Sequence, residues 1–136
     1  MGMQTKRILI VDDDVAFTRM VKLNLEQHGG YEVREENSAA NALAAAHVFK
    51  PDIFLLDIIM PGMDGTELAS RIRGDRILAR TPVVFLTATI TPDEARARNL
   101  ENDGMYFLTK PVQLQDLLKV IEDHTCLPPE AAGPKA

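Results

Sequence analysis

Short apolar runs alternate along this chain with longer segments of amphipathic pattern. A short, uninterrupted apolar run is typical of a strand that is buried on both faces of a parallel sheet. The predicted strands are Ile8–Val11, Tyr31–Arg34, Ile53–Leu56, Pro82–Thr87 and Met105–Leu108. The second of these is more polar than the others, which predicts a position at the edge of the sheet.

The amphipathic segments between the runs predict helices. Phe17, Val21 and Leu25 recur at i, i+4 and i+8 with Met20 beside them, which indicates one buried helical face. The expected helix starts are Asp14, Ser38, Asp64 and Thr91, and the last helix carries the apolar stripe Leu114, Leu117, Leu118 and Ile121. The helix that begins at Thr91 has few apolar anchors, so we expect it to shift at low energetic cost.

Strict alternation of strands and helices predicts an α/β fold, a (βα)5 doubly wound, five-stranded parallel sheet with helices on both faces. We expect this domain to occupy residues 6–126, with residues 1–5 as an N-terminal extension. Residues 127–136 contain three prolines and no apolar anchor. This composition predicts a flexible Pro- and Ala-rich tail or a truncated linker.

Net charge, cysteine count and the length of the apolar runs exclude or disfavour several classes of function. The chain has 136 residues and a formal net charge of −5, which disfavours direct, sequence-independent binding of nucleic acid. Its single cysteine, Cys126, excludes an internal disulfide and fits a reducing compartment. No apolar run has the length of a membrane span or forms the core of a signal peptide. We therefore expect a cytoplasmic protein that does not bind a membrane.

Polar side chains stand at the carboxyl ends of the predicted strands: Asp12 and Asp13 after the first, Asp57 after the third, Thr87 at the end of the fourth and Lys110 after the fifth. Parallel strands place these ends at one edge of the sheet, where open α/β sheets bind ligands. Three carboxylates in one crevice repel one another and favour a hard divalent cation such as Mg²⁺. An ammonium and a hydroxyl suit phosphate oxygens. The set predicts aspartyl-phosphate chemistry, with a carboxylate as nucleophile.

Four segments carry a resemblance to a known family: I-L-I-V-D-D-D, F-L-L-D-I-I-M-P-G-M-D-G, L-T-A and L-T-K-P, in this order and each at a predicted strand end. Over about residues 6 to 126 the chain resembles a two-component response regulator receiver domain. The resemblance implies the flavodoxin-like receiver fold. It also implies a phosphoacceptor that assists its own phosphorylation and dephosphorylation, not an enzyme with steady turnover.

The resemblance also implies a role for each site residue. Asp57 would accept a phosphoryl group from a phosphohistidine on a sensor histidine kinase or phosphotransfer protein. The implied Mg²⁺ ligands are Asp13, Asp57 and the backbone carbonyl of Ile59, with Asp12 acting largely through metal-bound water. Thr87 and Lys110 would contact the phosphoryl oxygens, Thr87 and Phe107 would form the switch, and the Lys110–Pro111 bond is expected to be cis.

Phosphorylation would then repack the surface around residues 91–126 and so control a downstream protein or an effector domain missing from this chain. A dimer through the same face is a further option. Two alternatives stay open: an adaptor on the same fold that needs no phosphorylation, and a phosphatase with an aspartyl nucleophile. Such phosphatases carry a second acid two residues past the nucleophile, where this chain has Ile59. An apolar side chain there predicts slow loss of phosphate, because it crowds an attacking water.

Overall fold

The computed structural model describes residues 5–60, 62–87, 106–110 and 112–125. Five strands form one parallel sheet in the order β2-β1-β3-β4-β5. The strands are β1 (Lys6–Val11), β2 (Tyr31–Glu36), β3 (Ile53–Asp57), β4 (Val83–Thr87) and β5 (Tyr106–Thr109). The helices are α1 (Val15–His28), α2 (Ala39–Phe49), α3 (Gly65–Arg73) and α4 (Leu114–Thr125). The predicted α/β fold and parallel sheet are confirmed, and β2 lies at an edge as expected.

Two apolar clusters cover the two faces of the sheet, which explains why the central strands lack polar residues. Side chains alternate between the faces, so neighbouring residues of one strand enter different clusters. On one face, Leu9, Val11, Phe54, Leu56 and Phe85 pack with the alanines of α2 and with Leu68 and Ile72 of α3. On the other, Ile8, Ile10, Ile53, Leu55 and Val84 pack with Val21 and Leu25 of α1 and Leu117 and Ile121 of α4. As a result, β3 is buried along its whole length up to Asp57.

The prediction that Met20 belongs to the buried face of α1 is wrong. Met20 is 45% exposed, whereas Thr18 is fully buried. Thr18 lies three positions before Val21 and seven before Leu25, so it shares their helical face, and Met20 does not. Burial of the threonine hydroxyl is tolerated because it donates to the carbonyl of Val15 at 3.1 Å.

Carboxylates begin two of the helices, as predicted. Asp14 accepts a hydrogen bond from the backbone N–H of Phe17 at 3.1 Å, and Asp64 accepts one from that of Glu67 at 3.0 Å. Ser38 stands at the N-cap position of α2, but within the described part of the chain its side chain makes no capping hydrogen bond.

Several predictions fall outside the described residues: the helix from Thr91, the cis bond to Pro111, Cys126 and the tail at 127–136. Among the described helices, none combines the length and apolar character needed to cross a membrane.

Candidate functional site

Asp12, Asp13 and Asp57 meet at the carboxyl edge of the sheet because β1 and β3 are neighbours. Val11 pairs with Leu56, so the residues that follow them lie side by side. One carboxylate oxygen from each of the three aspartates lies within 4.8 Å of the other two. Asp12 and Asp57 are buried and Asp13 is exposed, so the group is closed to solvent on one side and open to it on the other. The predicted convergence of these three residues is therefore present.

Asp12 is held by contacts to its backbone and to both carboxylate oxygens. Its N–H donates to the carbonyl of Glu36 at 3.1 Å, and its own carbonyl accepts from Nδ2 of Asn37 at 2.8 Å. Oδ1 accepts from the N–H of Asp14 at 2.9 Å, and Oδ2 accepts from Nζ of Lys110 at 2.6 Å. A fully buried carboxylate needs such partners, because an uncompensated charge in the interior is costly.

Lys110 extends from the end of β5 into the same crevice. Its ammonium nitrogen lies 2.6 Å from Oδ2 of Asp12 and 3.8 Å from Oδ1 of Asp57. The same nitrogen lies 4.3 Å from the centroid of the Phe17 ring, at the start of α1. The cation thus sits closer to Asp12 than to Asp57.

The environment of Asp57 disfavours its charged form. Burial raises the pKa of the Asp57 carboxyl from its ordinary 3.8 to about 6, and the negative charges of Asp12 and Asp13 act in the same direction. Lys110 and the N–H of Ile58 oppose this rise in pKa only in part. At neutral pH the carboxylate is ionised but poorly compensated, as suits a nucleophile or a metal ligand.

Gly65 brings the first turn of α3 against the end of β3. Its N–H donates to the carbonyl of Ile58 at 2.7 Å. A β-carbon at this position would overlap the carbonyl oxygen of Asp57. Glycine is therefore required here by the close approach of the two backbones.

Three residues near the site were not predicted to serve it. Asn37 donates a second bond from Nδ2, to the hydroxyl of Thr18 at 3.0 Å, and so links the end of β2 to β1 and α1. Nothing in the hydrophobic pattern singles out Asn37. Phe17 was predicted only as a core residue, and Gly65 only as part of a motif. A glycine at the first position of a helix is the one sequence signal among the three.

Of the remaining predicted site residues, Thr87 is located only by its backbone pairing, and Ile59 is exposed to solvent. Thr87 ends β4 and pairs with Thr109, one position beyond the pairing of Leu86 with Asp57. The side chains of Thr87 and Phe107 are outside the described part of the structure. Ile59, two residues past Asp57, is 67% exposed.

The acidic group fits a hard divalent cation. All three side chains offer carboxylate oxygens, and Mg²⁺ binds through one or two carboxylates while it keeps several waters. Within the described ranges, the histidines belong to no cluster of this kind. His47 instead lies with Nε2 2.7 Å from Oδ2 of Asp75, away from the crevice.

The family model for the response regulator receiver domain matches residues 8–122, so the chain belongs to that family of signalling domains. Receiver domains typically bind Mg²⁺ at an acidic cluster such as this one. Among solved structures, a putative response regulator from Chloroflexus aurantiacus superposes with a TM-score of 0.81 at 31% identity, over 91% of this chain and 100% of that one. The chemotaxis protein CheY4 of Vibrio cholerae superposes with a TM-score of 0.79 at 29% identity, over 88% of this chain and 98% of CheY4.

The curated relatives differ in length. Protein PilH of Pseudomonas aeruginosa is 37% identical over 117 residues, which are 85% of this chain and 93% of PilH. The transcriptional regulator RpaA of Synechocystis is 34% identical over 112 residues, 82% of this chain but 46% of RpaA. This chain thus spans about half the length of regulators such as RpaA.

Proposed function

We propose that this protein is a phosphorylation-dependent signalling switch in which Asp57 accepts a phosphoryl group from a phosphohistidine. The donor is a sensor histidine kinase or a phosphotransfer protein. The observation that carries this proposal is the meeting of Asp12, Asp13 and Asp57 within 4.8 Å, with the ammonium of Lys110 beside them. Membership of the receiver family supports the same reading.

The transfer step follows from the position of Asp57. One oxygen of the ionised carboxylate attacks phosphorus and forms the P–O bond of an acyl phosphate. The P–N bond of the phosphohistidine breaks, and its electron pair returns to the imidazole ring. Because the pKa of Asp57 is about 6, the carboxylate is ionised at neutral pH. The transfer replaces one carboxylate charge by the roughly two negative charges of the phosphoryl group, so the site needs the positive charge of Lys110 and of a bound cation.

Asp13, Asp57 and the backbone carbonyl of Ile59 are the proposed Mg²⁺ ligands, with Asp12 acting mainly through water. When bound, Mg²⁺ offsets the charge of the carboxylates and of the incoming phosphoryl group. Lys110 and Thr87 are proposed to contact the phosphoryl oxygens. The ammonium of Lys110 is already within 3.8 Å of Asp57, so it reaches a group attached there by a small movement.

The output is proposed to pass through the surface around residues 91–126. Thr87 moves toward the phosphoryl group, Phe107 fills the space it leaves, and that surface repacks. Its target is a downstream protein or an effector domain on the same chain.

Phosphorylation by a small donor tests this proposal. The protein is incubated with acetyl phosphate, with Mg²⁺ or with EDTA, and modified residues are located by borohydride reduction and peptide mass spectrometry. We expect one phosphoryl group on Asp57, dependent on Mg²⁺, and none in Asp57→Asn. Asp52→Asn is the matched control, because Asp52 lies at the opposite end of β3. Modification at another residue, or none in the parent, refutes the proposal, and steady turnover of a phosphoester favours the phosphatase.

A further inference from the structure

We propose that Phe17 is a positioning residue whose aromatic ring holds the ammonium of Lys110 in place for phosphoryl transfer. The part of the proposal that concerns transfer rests on the function proposed above. The contact itself does not, since it is visible in the resting geometry. It joins the first turn of α1 to the end of β5.

The distance supports an attractive contact. Nζ of Lys110 lies 4.3 Å from the centroid of the Phe17 ring, within the roughly 6 Å range over which an ammonium is attracted to an aromatic face. The Lys110 side chain is only 20% exposed, so solvent weakens the attraction less than at an open surface. Phe17 itself is half-buried and packs against the apolar cluster beneath α1.

The backbone that carries the Phe17 ring is held in place by hydrogen bonds. The N–H of Phe17 donates to the carboxylate of Asp14 at 3.1 Å, which ties its backbone to the start of α1. The next residue, Thr18, is fully buried and bonded to Asn37. Phe17 therefore presents its ring from a part of the chain whose backbone is held on both sides.

Lys110 needs such support because its side chain is long and flexible. Without the ring, and among the residues that the structure describes, Asp12 at 2.6 Å would be the one strong restraint on the ammonium, since Asp57 lies at 3.8 Å. A lysine held at one point can turn its charge toward water, where it is well solvated. A cation that is already oriented contributes more to a transfer reaction than one that must first be ordered. Phe17 reduces the number of orientations that the Lys110 side chain can adopt.

Replacement of Phe17 by leucine tests this role, because leucine keeps an apolar side chain and removes the ring. Phe49→Leu is the matched control. Phe49 is also half-buried and its ring also faces a cation, Arg7 at 5.7 Å, but at the opposite end of the sheet. Phe17→Tyr keeps a ring and serves as the conservative variant. Thermal unfolding establishes that each variant is folded.

The first measurement is the NMR spectrum of the Lys110 side chain without Mg²⁺ or phosphodonor. We expect the ε-methylene protons to be shifted upfield by the ring in the parent, in Phe17→Tyr and in Phe49→Leu. The shift should be lost in Phe17→Leu. Absence of an upfield shift in the parent, or its survival in Phe17→Leu, overturns the proposal even if Asp57 proves to be phosphorylated as expected.

The second measurement is the initial rate of Asp57 phosphorylation by acetyl phosphate at saturating Mg²⁺. We expect a fall of about 2- to 30-fold in Phe17→Leu, the range that corresponds to the usual strength of such a contact. Phe17→Tyr should recover most of the rate and Phe49→Leu should match the parent. An unchanged rate in Phe17→Leu overturns the proposal. If the parent takes up no phosphate at all, the proposed function fails, and the NMR measurement still decides whether Phe17 positions Lys110.

Discussion

The ammonium nitrogen of Lys110 lies 2.6 Å from Oδ2 of Asp12, a residue 98 positions earlier in the sequence. The pair joins the ends of two strands that are not neighbours in the sheet, β1 and β5. It compensates the fully buried carboxylate of Asp12 and leaves Asp57, at 3.8 Å from the same nitrogen, only partly compensated. The site therefore separates a carboxylate that anchors the lysine, Asp12, from one whose charge is only partly offset, Asp57.

Asp57→Asn is expected to stabilise the metal-free protein at neutral pH. The folded-state pKa of about 6 lies above the ordinary 3.8, so folding favours the protonated carboxyl. This contribution is full below about pH 4 and is lost as the pH rises through about 6. At pH 7.5 the variant should have a free energy of unfolding about 1 to 3 kcal/mol above the parent, and the advantage should shrink toward pH 4.

Urea unfolding in EDTA across this pH range measures the effect of Asp57→Asn. Asp123→Asn is the control, because Asp123 is an exposed carboxylate paired with Lys119 on α4. It should change stability little at any pH. Equal stability of Asp57→Asn and the parent at pH 7.5 would contradict the account of a poorly compensated carboxylate.

Asn37→Ala is expected to weaken Mg²⁺ binding and to destabilise the fold. It removes the donor to the carbonyl of Asp12 and to the hydroxyl of Thr18, so the turn that carries Asp12 and Asp13, the proposed metal-binding residues, loses its support. The free energy of unfolding should fall by about 1 to 3 kcal/mol, the usual effect of leaving a buried polar group without its partner. Titration with Mg²⁺, followed by NMR without any phosphodonor, measures the affinity. The exposed Asn41→Ala on α2 should leave both quantities unchanged, and equal effects of the two variants would refute the support role.

Gly65→Ala is expected to lower both stability and phosphoryl uptake. The added methyl group meets the backbone of Asp57, so α3 or the end of β3 must move. Overpacking of this kind typically costs about 1 to 3 kcal/mol. Gly74→Ala is the matched control at the other end of α3, since a β-carbon there would meet its nearest neighbours at 3.6 and 3.8 Å, ordinary contact distances. Chemical unfolding and Asp57 phosphorylation, measured together, compare the two. A Gly65→Ala protein as stable and active as Gly74→Ala would show that the approach is not tight.

Ile59→Asn is expected to speed the loss of phosphate from Asp57 several-fold. Ile59 is 67% exposed two residues past Asp57, where an apolar side chain hinders an attacking water and an amide can orient one. Release of phosphate after removal of the donor measures the rate. Ile77→Asn is the control, because Ile77 is 66% exposed in the turn after α3. A phosphoryl group as long-lived in Ile59→Asn as in Ile77→Asn would exclude this role.

The sequence alone determined the fold class and most of the acidic site. Alternating buried strands and amphipathic helices require a parallel sheet, and a parallel sheet places every strand end at one edge. Asp12, Asp13 and Asp57 follow from that rule without any knowledge of packing. Polarity also identified β2 as an edge strand.

Only the tertiary structure decided how the side chains of the site are paired. Periodicity shows which face of an element is buried, but not which partner a side chain meets across the crevice. Lys110 pairs with Asp12, Asn37 bonds to the carbonyl of Asp12, and Gly65 approaches the backbone of Asp57. Each of these contacts depends on distances that are set by the packing of separate helices and strands. The burial of Thr18 likewise became clear only in the structure, where its hydroxyl donates to the carbonyl of Val15 and so tolerates a position that polarity predicts to be exposed.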